Sequence, residues 1–166
     1  NNYVPMTISE AGMLLYWTGG GGGGGTDGLN RLIWYDRTGK LLETEGDTGD
    51  MIAPSIAPDG KTIALGRQTL VGNSDVWLRD LGRKTDVRFT ATGANDSDPV
   101  WSPMGDRIAF SSNRAPEGGL FVKPSSGSTP EQLIFKGQYT LDQWSKDGRY
   151  LVFVRASGNG DADLWY

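Results

Sequence analysis

Hydrophobic residues along this chain come in short bursts, not long waves. Runs such as Thr62-Ile63-Ala64-Leu65, Arg107-Ile108-Ala109-Phe110 and Tyr150-Leu151-Val152-Phe153 stand between clusters of Gly, Pro, Asp and Ser. Runs of this length bounded by turn residues predict β-strands, and no stretch carries a 3.6-residue period over helical length. Three turn-plus-strand blocks align: Ala57-Pro58-Asp59-Gly60-Lys61-Thr62-Ile63-Ala64-Leu65, Ser102-Pro103-Met104-Gly105-Asp106-Arg107-Ile108-Ala109-Phe110 and Ser145-Lys146-Asp147-Gly148-Arg149-Tyr150-Leu151-Val152-Phe153. A degenerate copy, Ser9-Glu10-Ala11-Gly12, precedes Met13-Leu14-Leu15-Tyr16. Downstream of each block a second β-prone run carries an aromatic ring at Trp34, Trp77, Phe121 and Trp165, in steps of 43, 44 and 44. A third run follows at 41–44, 86–90 and 132–135, and a further strand precedes each turn, as in Val100-Trp101 and Gln143-Trp144.

Each unit is therefore four short antiparallel strands in about 44 residues, the period of a propeller blade. The predicted fold is all-β, a partial β-propeller of about four blades in one domain, at approximately 4–50, 51–95, 96–138 and 139–166. The count is 15 strands, the last blade lacking its outer one. An open arc exposes the faces of its terminal blades. The expectation is that the chain is half of a ring closed by oligomerisation, a neighbour's residues 1–6 supplying the missing strand. The alternative is that it is a fragment of a longer propeller. Trp34, Trp77, Trp101, Trp144 and Trp165 are expected as core rings between blades.

The blocks "APDGKTIAL", "DPVWSPMGDRIAFSSNR" and "WSKDGRYLVFVR", each followed by a strand of Asp-Leu-Trp or Asp-Val-Trp type, resemble the Trp-Asp-like repeats of TolB-type β-propellers. They are most similar to the propeller modules C-terminal to bacterial serine/threonine kinase domains. Met104 and Lys146 depart from the usual Ser-Pro-Asp-Gly turn. The resemblance implies a binding or scaffold module and a bacterial extracytoplasmic, periplasmic location.

Composition narrows the chemistry. The 166 residues include no Cys and no His, which removes Cys-His and Ser-His-Asp nucleophiles and zinc sites built on those ligands. The formal net charge is −4 and the 16 Lys and Arg form no basic run, which argues against a nucleic-acid partner. No apolar run is long enough to span a membrane. Of the 20 acidic residues 15 are Asp, a turn-forming preference. Gly occurs 25 times, seven of them consecutive at 19–25; that run lacks the helix and Gly-Lys-Ser/Thr of a phosphate loop and reads as a flexible tip.

Asp96 and Asp98 before the third blade, Asp142 at the matching edge of the fourth and Asp50 before the second are the candidate metal ligands. Carboxylates converging from several blades suit a hard divalent cation such as Ca²⁺, although no cofactor is required by the sequence. With that ion the chain would be a hydrolase of phosphotriester, ester or lactone substrates; without it, these Asp residues tie turn backbones. Asn159-Gly160-Asp161-Ala162-Asp163 opens like an EF-hand but has Leu164 at the sixth position, so it reads as a hairpin turn. Arg67, Arg114 and Arg155 recur after second strands, as ion-pair partners or anion ligands. Three functions remain: a non-catalytic module binding a protein or small molecule and itself, the hydrolase, or a bare self-associating piece.

Overall fold

The computed structural model describes residues 6–8, 14–18, 30–49, 51–68, 72–156 and 162–166. The Gly run at 19–25 and the Asn159 turn lie largely or wholly outside them, as does Asp50. Fifteen strands form four antiparallel sheets, each in chain order. The first holds β1 (Met6–Ile8), β2 (Leu14–Thr18), β3 (Asn30–Tyr35) and β4 (Leu41–Gly49). The second holds β5 (Met51–Ile56), β6 (Thr62–Gln68), β7 (Ser74–Asp80) and β8 (Thr85–Arg88). The third is β9 (Asp96–Trp101), β10 (Arg107–Ser112), β11 (Gly119–Pro124) and β12 (Gln132–Lys136). The fourth has three strands, β13 (Thr140–Trp144), β14 (Leu151–Ala156) and β15 (Ala162–Trp165). The first strands pack on one another in series, β1 on β5, β5 on β9 and β9 on β13. They form the inner edge of an open propeller arc, and β8 and β12 at the outer edge are exposed throughout. Met6 belongs to β1 of its own sheet, paired with Tyr16, and residues 1–5 lie outside the described residues.

Turn chemistry sets the repeat. The amide of Gly60 donates to Ala57 O, that of Gly105 to Ser102 O and that of Gly148 to Ser145 O, each at 2.9 Å. Their φ angles of 71°, 71° and 74° are the left-handed values that glycine adopts without steric cost. Where Ser replaces Ala the turn gains a tie: Ser102 Oγ accepts from Arg107 N–H at 3.0 Å and Ser145 Oγ from Tyr150 N–H at 2.9 Å. Met104 costs the third turn its Asp, and Asp106 compensates by accepting from Ser102 Oγ at 2.7 Å.

Three apolar layers lie between consecutive sheets. Leu32 and Trp34 meet Ile56, Ile63 and Leu65; Ala64 and Val76 meet Ile108, Phe110 and Phe121; Ala109 and Leu120 meet Leu141, Leu151 and Phe153. The two faces of a sheet differ. In the second and third sheets the face towards the preceding sheet carries large side chains and the face towards the next carries smaller ones, whereas the first sheet turns Leu32 and Trp34 towards the next. Polar ties cross the same seams: Trp101 Nε1 donates to Ser55 O at 3.2 Å, Lys123 Nζ to Phe89 O at 2.8 Å and Leu141 N–H to Ser111 Oγ at 3.0 Å.

Pairing corrects the aromatic spacing. Trp77 pairs with Leu65, Phe121 with Phe110 and Trp165 with Phe153. At the same place in the first sheet stands Ile33, paired with Tyr16, while Trp34 lies one position on. One residue in a strand reverses the face, so Trp34 packs on the next blade as Leu78 and Val122 do.

Candidate functional site

A concavity opens between the second and third sheets, a cleft of about 320 Å³ lined by Ile52, Gln68, Gly72, Ser74, Asn95 and Ser97. That volume is at the low end for small-ligand pockets, about 300–1,000 Å³. Its wall is built by Asn side chains acting on backbone. Asn95 Oδ1 accepts from Ser74 N–H at 3.0 Å, Asn73 Nδ2 donates to Ala94 O at 3.2 Å, and Asn95 N–H donates to Asn113 Oδ1 at 2.8 Å. Gly72, at φ 88°, turns the chain into β7. The lining carries no charge. Among the described residues nothing hydrogen-bonds the Gln68 amide group or the Asn95 Nδ2, so both offer donors to whatever enters.

Ser97 connects this cleft to the inner edge, its hydroxyl donating to Asp98 Oδ2 at 2.8 Å. Asp98 sits in a bulge of β9 at φ 51°, and Ala53 takes the equivalent place in β5 at φ 47°. Burial pushes the Asp98 carboxyl above its ordinary range, and the hydroxyls of Ser97 and Ser111 offset that only in part.

The other buried carboxylates are held by cations. Asp96 accepts from Arg114 Nη2 at 3.1 Å and Thr92 Oγ1 at 3.0 Å. Asp75 accepts from Arg88 Nη2 at 2.5 Å. Glu45 in β4 accepts from Arg79 Nε at 2.7 Å and Lys84 Nζ at 2.6 Å, a clamp from the first sheet to the second. Burial alone would raise Glu45, but those two cations outweigh it and hold the carboxyl below its usual value.

Of the candidate metal ligands Asp50 lies outside the described residues, and the others have different surroundings. Asp96 is committed to Arg114, and Asp142 lies exposed in the β13 bulge, at the register of Pro54 and Pro99. The register of Asp98 in the fourth sheet is taken by buried Leu141. Among the described residues no group of three or more acidic side chains could hold a metal ion. The arginines separate likewise. Arg67 and Arg155 share a register in β6 and β14, where the third sheet has Ser112 and Arg114 follows two residues later. Arg67 lies over the Trp77 ring at 5.4 Å and pairs with Asp86; Arg155 is exposed. Arg114 is locked by Asp96, Glu131 at 2.6 Å and the Phe121 ring at 4.0 Å. Sequence reasoning missed the Glu45 clamp, because nothing in Leu-Leu-Glu-Thr-Glu marks which Glu turns inward.

The family model for the TolB beta propeller domain matches residues 37–164. The chain belongs to that family. Its four sheets are propeller blades, three of four strands and a fourth of three described strands. TolB from Acinetobacter baumannii superposes with a TM-score of 0.79 at 21% identity, covering 96% of this chain and 39% of that one. A putative TolB from Agrobacterium tumefaciens gives 0.78 at 21%, covering 93% and 53%. An uncharacterized peptidase, YuxL of Bacillus subtilis, is 25% identical over 133 residues, 74% of this chain and 20% of the relative. The chain thus spans about a fifth of that relative's length and 39% and 53% of the two propeller structures'. No helix among the described residues is long and apolar enough to cross a membrane.

Proposed function

We propose that the chain is a non-catalytic ligand- or protein-binding propeller module whose arc of blades is completed by a further copy. The observation that carries this is the state of the polar groups. The deepest carboxylates are neutralised by Arg or Lys within the fold, whereas the uncharged cleft between the second and third blades keeps open hydrogen-bonding capacity. Committed charges stabilise blades, and open neutral donors suit recognition. The peptidase in the relative's name does not transfer, since a chain without His or Cys has no Ser-His-Asp or Cys-His set of its own. The Ca²⁺-hydrolase alternative needs Asp96 as a ligand and would have to displace Arg114 to use it. The family likeness supports an extracytoplasmic setting.

Two measurements test this. Chromogenic esters, lactones and phosphotriesters are assayed with Ca²⁺ and with chelator, and the melting temperature is followed in both. No turnover and an unchanged melting temperature are expected; turnover abolished by chelator and restored by Ca²⁺ would overturn the reading. Amide-shift mapping with a library of uncharged fragments is expected to move Gln68, Ser74, Asn95 and Ser97 together, and binding confined to other surfaces counts against the cleft.

A further inference from the structure

Successive strands run antiparallel, so the β5–β6, β7–β8, β9–β10, β11–β12 and β13–β14 turns all lie at one end of the blades. They touch one another and form one surface. Within a blade, Leu81 N–H donates to Lys61 O and Ser125 N–H to Asp106 O, each at 2.9 Å. Between blades, a Cβ on Gly105 would lie 3.6 Å from Pro58 and one on Gly148 4.0 Å from Pro103. The second and third blades have a blade on either side, so their turn tips are exposed wherever the chain begins or ends.

Charge is unevenly placed on the molecule, and this end carries the positive share. The chain's formal net charge is −4, yet residues 57–61, 80–84, 102–107 and 145–149 hold six cations against four aspartates, and 125–130 are uncharged. The cations Lys61, Arg83, Lys84, Arg107, Lys146 and Arg149 are all exposed. Three of the aspartates fold back onto turn backbone: Asp59 accepts from Lys61 N–H at 2.9 Å, Asp80 from Arg83 N–H at 2.8 Å and Asp147 from Arg149 N–H at 3.1 Å. Asp106 serves Ser102 Oγ and lies 3.4 Å from Arg107. Arg83 is 84% exposed, and neither Lys61 nor Lys146 forms an ion pair with another described residue.

Met104 stands on the middle turn of this row and is 85% exposed. Asp59 and Asp147 hold its place in the flanking turns, while Pro58 and Pro103 hold the place of Lys146. The two departures change the surface in one direction: Met104 removes a negative charge and presents an apolar chain, and Lys146 adds a cation. Neither improves its turn, since Met104 forgoes the carboxylate that ties Lys61 N–H and Arg149 N–H. A flexible apolar side chain flanked by cations suits a lipid boundary, where phosphates meet Lys and Arg and hydrocarbon begins just beneath. An acidic polypeptide would match the charges and leave Met104 in water. We propose that this turn end docks on an anionic phospholipid surface, with Met104 entering the headgroup layer and Lys61, Arg83 and Lys146 on the phosphates around it. This goes beyond the binding-module reading and does not rest on what the cleft holds or on a second copy.

Co-sedimentation of the purified chain with vesicles tests this, using phosphatidylcholine alone and phosphatidylcholine mixed equally with phosphatidylglycerol. Binding to the mixed vesicles alone is expected, and it should weaken as salt is added. Lys146→Pro and Met104→Asp install the residues that the chain's other turns carry, so both are expected to fold, with melting temperatures checked beside wild type. Lys146→Pro should weaken binding about fivefold, the effect of one cation at an anionic surface. Met104→Asp should weaken it about tenfold or more, whereas Met104→Leu should bind as wild type. Lys61→Gln, at an exposed position, repeats the charge test if Lys146→Pro fails to fold. Equal binding to both vesicle types, or none to either, overturns the proposal, as does a Met104→Asp chain that binds like wild type. Polyglutamate that binds the chain when the mixed vesicles do not would mark the surface as one for acidic polypeptide and overturns it equally.

Discussion

Acid acts in opposite directions on a carboxylate buried beside a cation and on one buried without, and this chain contains both. Glu45 is fully buried between Arg79 and Lys84, and its folded-state carboxyl titrates below the ordinary value. Its contribution is therefore complete above the unfolded-state range and is lost as pH falls through the lowered folded value. Glu45→Gln should cost about 3 kcal/mol at neutral pH, since Arg79 is left buried with Asp86 alone, and much less in acid. Asp98 has the reverse sign. Its folded-state carboxyl is raised by burial, so the folded protein binds the extra proton and stability falls as pH rises through that raised range. Asp98→Asn keeps the shape, tolerates φ 51° and removes the buried charge. It should raise the melting temperature at neutral pH and leave it unchanged in strong acid. Thermal melts of both variants across the carboxylate range check the pair: the curves should diverge from wild type in opposite directions.

Within the blades, glycine does two different jobs. At Gly60 an added methyl meets nothing within 4 Å, so Gly60→Ala carries only the strain of φ 71°, about 1 kcal/mol. At Gly119, which opens β11, a Cβ would lie 2.5 Å from Phe135 O and press on Leu133 of the adjoining β12. Gly119→Ala should cost about 2–3 kcal/mol and loosen β12. Urea unfolding separates the two in magnitude, and amide exchange at Leu133 and Phe135 should quicken for the second alone. The blades and their turns were legible because Gly-dependent turn geometry writes itself into sequence at a fixed spacing. Face and register were less so. A bulge is one extra residue without a composition signature, which is why Asp142 looks like a counterpart of Asp98 while Leu141 holds that place. Trp34 likewise looks like a counterpart of Trp77, although Ile33 takes its register. The ion pairs that occupy Asp96 and Arg114 join residues 18 apart across two strands and an inner-edge loop, a distance at which no local motif speaks. The cleft was not legible, because its walls come from two blades.

Across the whole molecule, stability comes from a seam repeated between blades, so one substitution at a repeated position has a value set by whether a blade covers it. Leu120 lies inside the seam between the third and fourth blades at 1% exposure, and Leu120→Ala should cost about 2–5 kcal/mol whatever the protein concentration. Leu164 holds the same register on the fourth blade but is 66% exposed within a single chain. In the isolated arc, Leu164→Ala removes little buried area and should cost less than about 0.5 kcal/mol. If a second copy covers that face, the lost methyl groups act through association instead. The wild-type melting temperature then climbs with concentration, because the partner binds only the folded chain. Leu164→Ala should flatten that climb, merging with wild type at high dilution and falling below it as concentration increases. Leu120→Ala should instead stay displaced by a near-constant amount at every dilution. A wild-type melting temperature independent of concentration would mean that no copy protects the face, and the two leucines would then differ at every dilution solely by what their own chain buries.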